Sequence, residues 1–166
     1  AGGYITFQNY EGQTAILDGT GLSVSEGEGL VEIDNSSYVI VKGFEIRNYK
    51  TTTRDRVPIG IYVYGSGNHI QLLNNNIHDI KNTATVRSDL SGRDAHGIAV
   101  YGTETTPISD LTIDGNTLTN LVLGSSESLV VNGNVNGFAI TNNVVHDNDN
   151  IGIDAIGFED TAPSGY

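Results

Sequence analysis

The stretch HIQLLNNNIHD (residues 69–79) places two short strands on either side of an asparagine corner. The same pattern returns at YVIVKGFEIRN (38–48), SDLTIDGNTLTN (109–120) and GFAITNNVVHD (137–147). A further strand, usually led by glycine, precedes or follows each of these segments, at LVEID (30–34), GIYVYG (60–65), GIAVYG (97–102), SLVVNG (128–133) and GIDAIG (152–157). A unit of three short strands therefore recurs along the chain, which is typical of a solenoid.

Alignment of the repeats puts apolar residues in columns with a period of two, so one face of each strand is predicted to point inward. The lead strands supply two columns, Val31, Ile61, Ile98, Leu129 and Ile153, and Ile33, Val63, Val100, Val131 and Ala155. The second strands supply Val39, Ile70, Leu111 and Phe138, and Val41, Leu72, Ile113 and Ile140. The third strands supply Ile46, Ile77, Leu118 and Val145.

The polar positions are also aligned. One corner column holds Gly43, Asn74, Gly115 and Asn142, and the next holds Phe44, Asn75, Asn116 and Asn143. Glycine and asparagine tolerate positive φ, so a tight bend is predicted there, with stacked asparagines that hydrogen-bond along the stack. A β-sandwich does not repeat one corner in register four times. We therefore predict an all-β parallel β-helix, a single domain over residues 1–166 with three short strands per coil and about five coils, counting incomplete ends.

Composition narrows the possible partners. The formal net charge of −12 argues against nucleic acid and anionic membranes, and the chain contains no cysteine. No apolar run is long enough to span a bilayer. A cysteine-free chain fits a secreted or cell-surface protein of bacterial type. Neither end offers a capping helix, so we expect either a fragment of a longer β-helix or end-to-end self-association.

The links that return from the third strand to the lead strand differ in length, and residues 49–59 and 80–96 form the two longest. Six of the eight lysines and arginines lie in or beside them: Lys50, Arg54, Arg56, Lys81, Arg87 and Arg93. Insertions on one edge of a solenoid usually mark its binding face. These cations either attract the carboxylates of a substrate or pair with aspartates such as Asp55 to pin the loops together.

Outward residues of the lead strands form the floor beside these loops. One row is predicted to hold Glu32, Tyr62, Ala99, Val130 and Asp154, and the other Asp34, Tyr64, Tyr101, Asn132 and Ile156. Tyr62, Tyr64 and Tyr101 would make an aromatic strip on which sugar rings stack, or they stabilise cross-strand pairs. Sugar binding along this floor would also involve Arg54, Arg56 and Asp154.

This repeat, which covers nearly the whole chain, resembles the right-handed parallel β-helices of the pectate-lyase superfamily. The segment GRDAHGIAV (92–100) is similar to the acidic G-x-D-A-D-G stretch of the family-nine polysaccharide lyases. The resemblance implies a calcium-dependent lyase that acts on an acidic polysaccharide such as pectate. It also implies Asp94 as a Ca²⁺ ligand, with Asp89 nearby on the same loop. Glu127, at the start of a strand in the next coil, is a further candidate ligand. His96 stands where the pattern prefers an acid, and histidine is a poor ligand for calcium.

Several chemistries remain open at this point. Elimination needs a base, and the resemblance implies an arginine or lysine, for which Arg87 and Arg93 are the nearby candidates. Glycoside hydrolysis would instead use two carboxyl groups, such as Glu127 with Asp154, and an epimerase on the same scaffold is a further alternative. His96 beside Asp94 is either an acid/base group or a loop clamp. A non-catalytic carbohydrate-binding or structural β-helix is the third alternative.

Overall fold

The computed structural model describes residues 3–85, 87–88, 91–157 and 159–165. Within these ranges the chain is all-β, and none of its segments is a helix that could cross a membrane. The strands in chain order are β1 (Ile5–Gln8), β2 (Ala15–Asp18), β3 (Gly27–Asp34), β4 (Val39–Lys42), β5 (Phe44–Arg47), β6 (Lys50–Thr51), β7 (Val57–Gly65), β8 (Gly67–Leu73), β9 (Asn76–His78), β10 (Lys81–Asn82), β11 (His96–Gly102), β12 (Ile108–Asp114), β13 (Thr117–Thr119), β14 (Glu127–Gly133), β15 (Val135–Thr141), β16 (Val144–His146) and β17 (Ile151–Ile156).

The strands form three five-stranded parallel sheets that the chain visits in turn. The second sheet has the order β1-β4-β8-β12-β15, the third sheet β16-β13-β9-β5-β2, and the lead sheet β17-β14-β11-β7-β3. The short strands β6 and β10 pair with each other beside the loops. Three parallel sheets whose neighbouring strands come from successive repeats are consistent with a parallel β-helix or solenoid.

The strand registers confirm the predicted apolar columns. Ile61 pairs with Val31 and with Ile98, and Ile77 pairs with Ile46 and with Leu118. Most of these side chains lie in one continuous core from which solvent is excluded. Parallel pairing in strict register keeps each apolar side chain directly over its equivalent, so a single interior runs through the stack.

The predicted asparagine corners are also confirmed. Asn75 and Asn116 are buried, and the Oδ1 atom of Asn116 accepts hydrogen bonds from both the backbone N–H and the side-chain amide of Asn75, each at 3.0 Å. The Oδ1 atom of Asn143 does the same for Asn116 at 2.9 Å. The preceding residues Asn74 and Asn142 have φ values of 52° and 54°. The amide ladder therefore satisfies buried backbone groups at a bend where no strand partner can.

A second column of equivalent residues with a left-handed backbone conformation was not predicted. Tyr38, His69 and Asp110 have φ values of 59°, 56° and 50°, and Gly137 occupies the equivalent place in β15. Glycine, aspartate and histidine tolerate positive φ better than most residues, whereas the bulky side chain of Tyr38 disfavours it. The Tyr38 and His69 rings pack together with their centres 4.5 Å apart. Stacking between repeats thus accompanies a backbone conformation that the Tyr38 side chain disfavours.

The two edges of the stack leave apolar side chains uncovered. Within the described ranges, the exposed large apolar residues lie in segments 4–22 and 138–153, and include Phe7, Leu22, Phe138 and Ile153. A cavity of about 500 Å³ opens at the first edge, lined by Ile5, Phe7 and Leu17 among others. These surfaces are compatible with end-to-end self-association, which stays a prediction.

The ladder generates a stability prediction. Asn116→Ala removes the acceptor of two donors on buried Asn75. We expect the free energy of unfolding to fall by about 2–4 kcal/mol, because each buried donor left without an acceptor has its own desolvation penalty. Urea unfolding followed by circular dichroism measures the loss. Asn136→Ala, at an exposed asparagine of the next repeat, is the matched control and should change stability by no more than about 0.5 kcal/mol. Equal losses in both variants would contradict a role for the ladder.

Candidate functional site

A shift in the side-chain alternation of the lead sheet creates the candidate site. Gly60 and Ile61 both face the interior, because a Cβ on Gly60 would lie 2.7 Å from Ile77 Cγ2. Gly97 and Ile98 repeat this arrangement, with Leu118 only 2.6 Å from the Gly97 Cβ position. Two consecutive inward residues turn the residue before the glycine outward. His96 therefore leaves the core and joins the outward face of the lead sheet, where Ile59, Ala99 and Val130 form a separate apolar cluster.

His96 is held by two hydrogen bonds and is only 3% exposed. Its Nδ1 lies 3.0 Å from the backbone carbonyl oxygen of Glu127, which can only accept, so Nδ1 carries the proton of the neutral ring. Nε2 then accepts from the Tyr101 hydroxyl at 3.2 Å. Burial lowers the pKa of His96 to about 4, against the smaller opposing effects of the Glu127 carbonyl and the Asp94 charge. The ring is therefore neutral at ordinary pH, and its Nε2 atom accepts the hydrogen bond from Tyr101.

Glu127 lies beside this ring and has the opposite shift. Burial raises its pKa, and the negative charges of Asp154, Glu159 and Asp94 raise it further. Its Oε2 atom is 3.6 Å from His96 Nδ1. Burial likewise raises the pKa of the Tyr101 phenol, with a further contribution from Glu127. A carboxyl group, a neutral imidazole and a phenol with perturbed pKa values on one outward surface are the composition expected of an acid/base site.

Asp94 closes the loop side of the same surface. Its Oδ1 atom accepts hydrogen bonds from the hydroxyls of Ser125 and Ser126, both at 2.9 Å, and Asp94 also bridges Gly124 through the backbone. The hydrogen bonds of His96 thus go to Glu127 and Tyr101, whereas Asp94 ties its loop to the next repeat. Sequence reasoning did not identify the two serines, because nothing local distinguishes them from other loop serines.

The predicted calcium ligands do not form a complete set in the described ranges. Asp89 lies outside the described residues, and Asp94 and Glu127 are the other two. No group of three or more histidine, aspartate or glutamate side chains with the geometry of a metal site occurs among the residues that the structure describes. The Asp94 Oδ1 atom is shared by two hydroxyls. Calcium binding by Asp94, Asp89 and Glu127 stays a prediction.

The loop cations pair with acids or with backbone oxygens. Arg87 forms a two-point ion pair with Asp55, at 2.6 and 3.1 Å, across the two longest loops. Arg54 donates to the Thr85 carbonyl oxygen at 2.8 Å, and the Arg93 guanidinium lies 3.5 Å from Asp149. Lys50 and Lys81 both approach Asp79 through their side chains, whereas the Arg56 contact is made by its backbone carbonyl oxygen, which accepts from Asn82 and so does not involve its charge. These contacts correspond to the interpretation in which the cations pin the loops.

The three tyrosines are adjacent on the outward face. The Tyr62 ring centre lies 4.6 Å from that of Tyr64 and 5.7 Å from that of Tyr101, in tilted and edge-on arrangements. The registers place Tyr64, Tyr101 and Asn132 in one row, and Ala99, Val130 and Asp154 in the neighbouring row. A concavity of about 210 Å³ adjoins the rings, and we call it the lead-sheet cleft; it is lined by Gly27, Val57, Ile59, Tyr62, Asp94, His96, Tyr101 and Ser126.

Comparison with known proteins identifies a relative of the chain but does not indicate a function. Over 159 residues the chain is 41% identical to the uncharacterized protein YwoF of Bacillus subtilis (strain 168), and the match covers 95% of this chain. The same match covers 32% of that protein, so the chain spans about a third of the length of this relative. No family model and no solved structure matches the chain.

The buried histidine predicts a pH-dependent stability. Because the pKa of His96 is about 4 in the folded chain and 6.5 as its ordinary value, the unfolded chain binds the extra proton first as the pH falls. Stability that is present above pH 6.5 is therefore lost between pH 6.5 and about 4. From pH 7 to pH 5 the loss attributable to this ring is about 2 kcal/mol.

Urea unfolding of the unmodified chain and of His96→Gln at pH 7 and pH 5 measures this loss. Between pH 7 and pH 5, the free energy of unfolding of the variant should fall by about 2 kcal/mol less than that of the unmodified chain. The difference between the two proteins cancels the contribution of Glu127, whose raised pKa changes stability in the opposite direction. His146→Gln, at an exposed histidine, is the control for the loss of an imidazole. An equal pH dependence in the unmodified chain and His96→Gln would show that the ring is not buried in its neutral form.

Proposed function

We propose that this chain is part of a right-handed parallel β-helix of the pectate-lyase superfamily that cleaves a polysaccharide in the lead-sheet cleft. The parallel sheets, the aligned apolar columns and the asparagine ladder support the fold assignment. Tyr62, Tyr101 and the Asp94 carboxylate line this cleft and support a sugar ligand, because sugar rings pack on aromatic faces while their hydroxyls bond to acids. Secretion or cell-surface location belongs to the same proposal.

The reaction that the geometry supports best is glycoside hydrolysis. The single observation behind it is the partly buried Glu127 carboxyl group, 3.6 Å from the His96 ring, whose pKa is raised by burial and by the negative charge of Asp154. A pair of carboxyl groups whose environments differ can divide the acid and base roles of glycoside cleavage. Glu127, holding its proton to higher pH, would protonate the glycosidic oxygen as the bond to the sugar breaks. Asp154 would act on the other side of the sugar as base or nucleophile.

His96 and Tyr101 would support that reaction without titrating. The neutral ring fixes the Tyr101 hydroxyl by accepting its hydrogen bond, and the ring N–H donates to the Glu127 backbone carbonyl oxygen. The contact with the Glu127 backbone restricts the position of the candidate acid, and a catalytic group must be held within a fraction of an ångström of its target. We therefore assign His96 a positioning role.

Elimination from an acidic polysaccharide is the second candidate. The observation that favours it is the convergence of Asp94, Glu127 and Asp154 charges on one surface, which would repel a uronate unless a cation lay between them. Arg87 and Arg93 stay the candidate bases, although both are engaged with Asp55 and Asp149. In this candidate reaction Asp94 and Glu127 would hold a calcium ion, and the ion would offset the repulsion between these carboxylates and the uronate.

Turnover assays separate the two reactions. We expect new reducing ends without unsaturated products when the protein is incubated with a panel of neutral polysaccharides, polygalacturonate and alginate. Ultraviolet-absorbing unsaturated products that require calcium and vanish with a chelator would establish elimination instead. Binding of a polysaccharide without any new ends would point to the non-catalytic alternative.

Glu127→Gln should lower kcat by about 10²–10⁴-fold, because the amide cannot supply the proton. Glu104→Gln, at an exposed glutamate on the link between β11 and β12, is the matched control and should leave kcat unchanged. At neutral pH, Glu104→Gln should unfold at nearly the same urea concentration as the unmodified protein, and Glu127→Gln at the same or a higher concentration, because the amide removes a charge that the folded state disfavours. Full activity of Glu127→Gln would remove this residue from the mechanism.

The aromatic strip carries a separate prediction. Tyr64→Ala should raise KM roughly 3–10-fold with little change in kcat, since a ring that packs on a sugar contributes equally to the ground state and the transition state. Tyr10→Ala, at a tyrosine exposed near the first edge of the stack, is the control. A fall in kcat with constant KM would contradict a role in sugar binding.

A further inference from the structure

A segment that follows the last lead strand folds back over the outward face of the lead sheet. Residues 159–165, which we call the strap, lie beyond β17 but contact β14. The Glu159 carboxylate accepts a hydrogen bond from Asn132 Nδ2 at 2.8 Å, and the Thr161 hydroxyl donates to Asn132 Oδ1 at 2.9 Å. Both polar atoms of one side chain are therefore bonded to the strap.

The strap covers a position that the strand pattern leaves open. Asn132 belongs to the outward row that also contains Asp34, Tyr64 and Tyr101, yet it is only 4% exposed. A Cβ built on the neighbouring Gly133 would lie 2.9 Å from Thr161 Cγ2, so the strap packs directly on the end of β14. Ile156 packs against the outward apolar cluster around Val130 from the same side. The row is thus open at Tyr64 and Tyr101 and covered from Asn132 onward.

This cover lies in the path of an extended ligand. Neighbouring strands are about 4.8 Å apart, so a sugar chain that rests on Tyr64 and Tyr101 and continues in the same direction meets Asn132 next. The strap also brings the Glu159 carboxylate close enough to affect Glu127 and Tyr101. The residues that block the row therefore lie beside the candidate acid.

We propose that the strap closes one end of the lead-sheet cleft, so that the cleft accepts the end of a polysaccharide chain and not its middle. Glu159 is placed to meet the terminal sugar, since a carboxylate at a closed end can bond to hydroxyls that exist only on a chain terminus. This inference rests on the proposed function, and it specifies the substrate as a chain end and the products as short.

Product analysis with the unmodified protein tests the proposal. We expect one short product from the earliest time points and a slow fall in viscosity of whichever polysaccharide of the panel is cleaved. In the double variant Glu159→Ala/Thr161→Ala, products of many lengths should appear early. Asp160→Ala alters the same exposed segment without touching the two contacts to Asn132, and it should behave like the unmodified protein. A broad early product distribution from the unmodified protein would overturn the closed end while leaving cleavage itself established.

Oligosaccharide binding gives a readout that does not depend on turnover. Calorimetry with oligosaccharides of increasing length, using Glu127→Gln to prevent cleavage, should show affinity that stops rising at a short length. The double strap variant in the same background should bind the longer oligosaccharides roughly fivefold more tightly, as expected for one added hydrogen-bonded sugar. Affinity that keeps rising with length in the presence of the intact strap contradicts the proposal. Absence of both binding and products would overturn the proposed function, and the closed end with it.

Discussion

The structure depends on the strict parallel register between successive repeats. A slip of one residue between two strands would exchange the inner and outer faces of every side chain beyond it. Apolar columns alone allow slips of two residues, because the period is two. The buried asparagine ladder removes that freedom, since Asn75, Asn116 and Asn143 satisfy one another only when their corners lie directly above each other. The corners thus fix the register, and the register places every other residue.

This register explains how much of the molecule the sequence predicts. Each apolar column and each Asn or Gly corner follows from residue type and spacing, and the pairing of Ile61 with Ile98 or of Val41 with Leu72 was predictable without coordinates. The left-handed conformation of Tyr38 was not, because its bulky side chain disfavours positive φ and the equivalent residues of the neighbouring repeats adopt it. Local propensity and stacking agree at the first set of positions and conflict at Tyr38.

The candidate site is harder to predict, for two physical reasons. A strict alternation of inner and outer faces would point the side chain of residue 96 into the core. The small size of Gly60 and Gly97 allows the shift that turns His96 toward the cleft. The partners of the loop cations depend on distances between repeats that sequence spacing leaves free. The Arg87–Asp55 pair joins loops 32 residues apart, and the contacts of Asn132 with the strap join residues 27 and 29 apart. Residue types suggested carboxylates and tyrosines at one surface, but not which groups touch.

The distribution of charge separates structural pairs from the candidate site. In the described part of the chain, ion pairs of lysine and arginine go to Asp18, Glu45, Asp55, Asp79 and Asp149, all on the third-sheet side or in the loops. Glu127 instead lies against a neutral imidazole and near three other carboxylates, and its raised pKa records an environment that disfavours its charged form. Such an arrangement reduces stability at neutral pH, because a partly buried acid must ionise among like charges. The ion pairs of lysine and arginine in the described residues lie elsewhere, so Glu127 keeps its proton to higher pH, as its proposed role as the acid of glycoside cleavage requires.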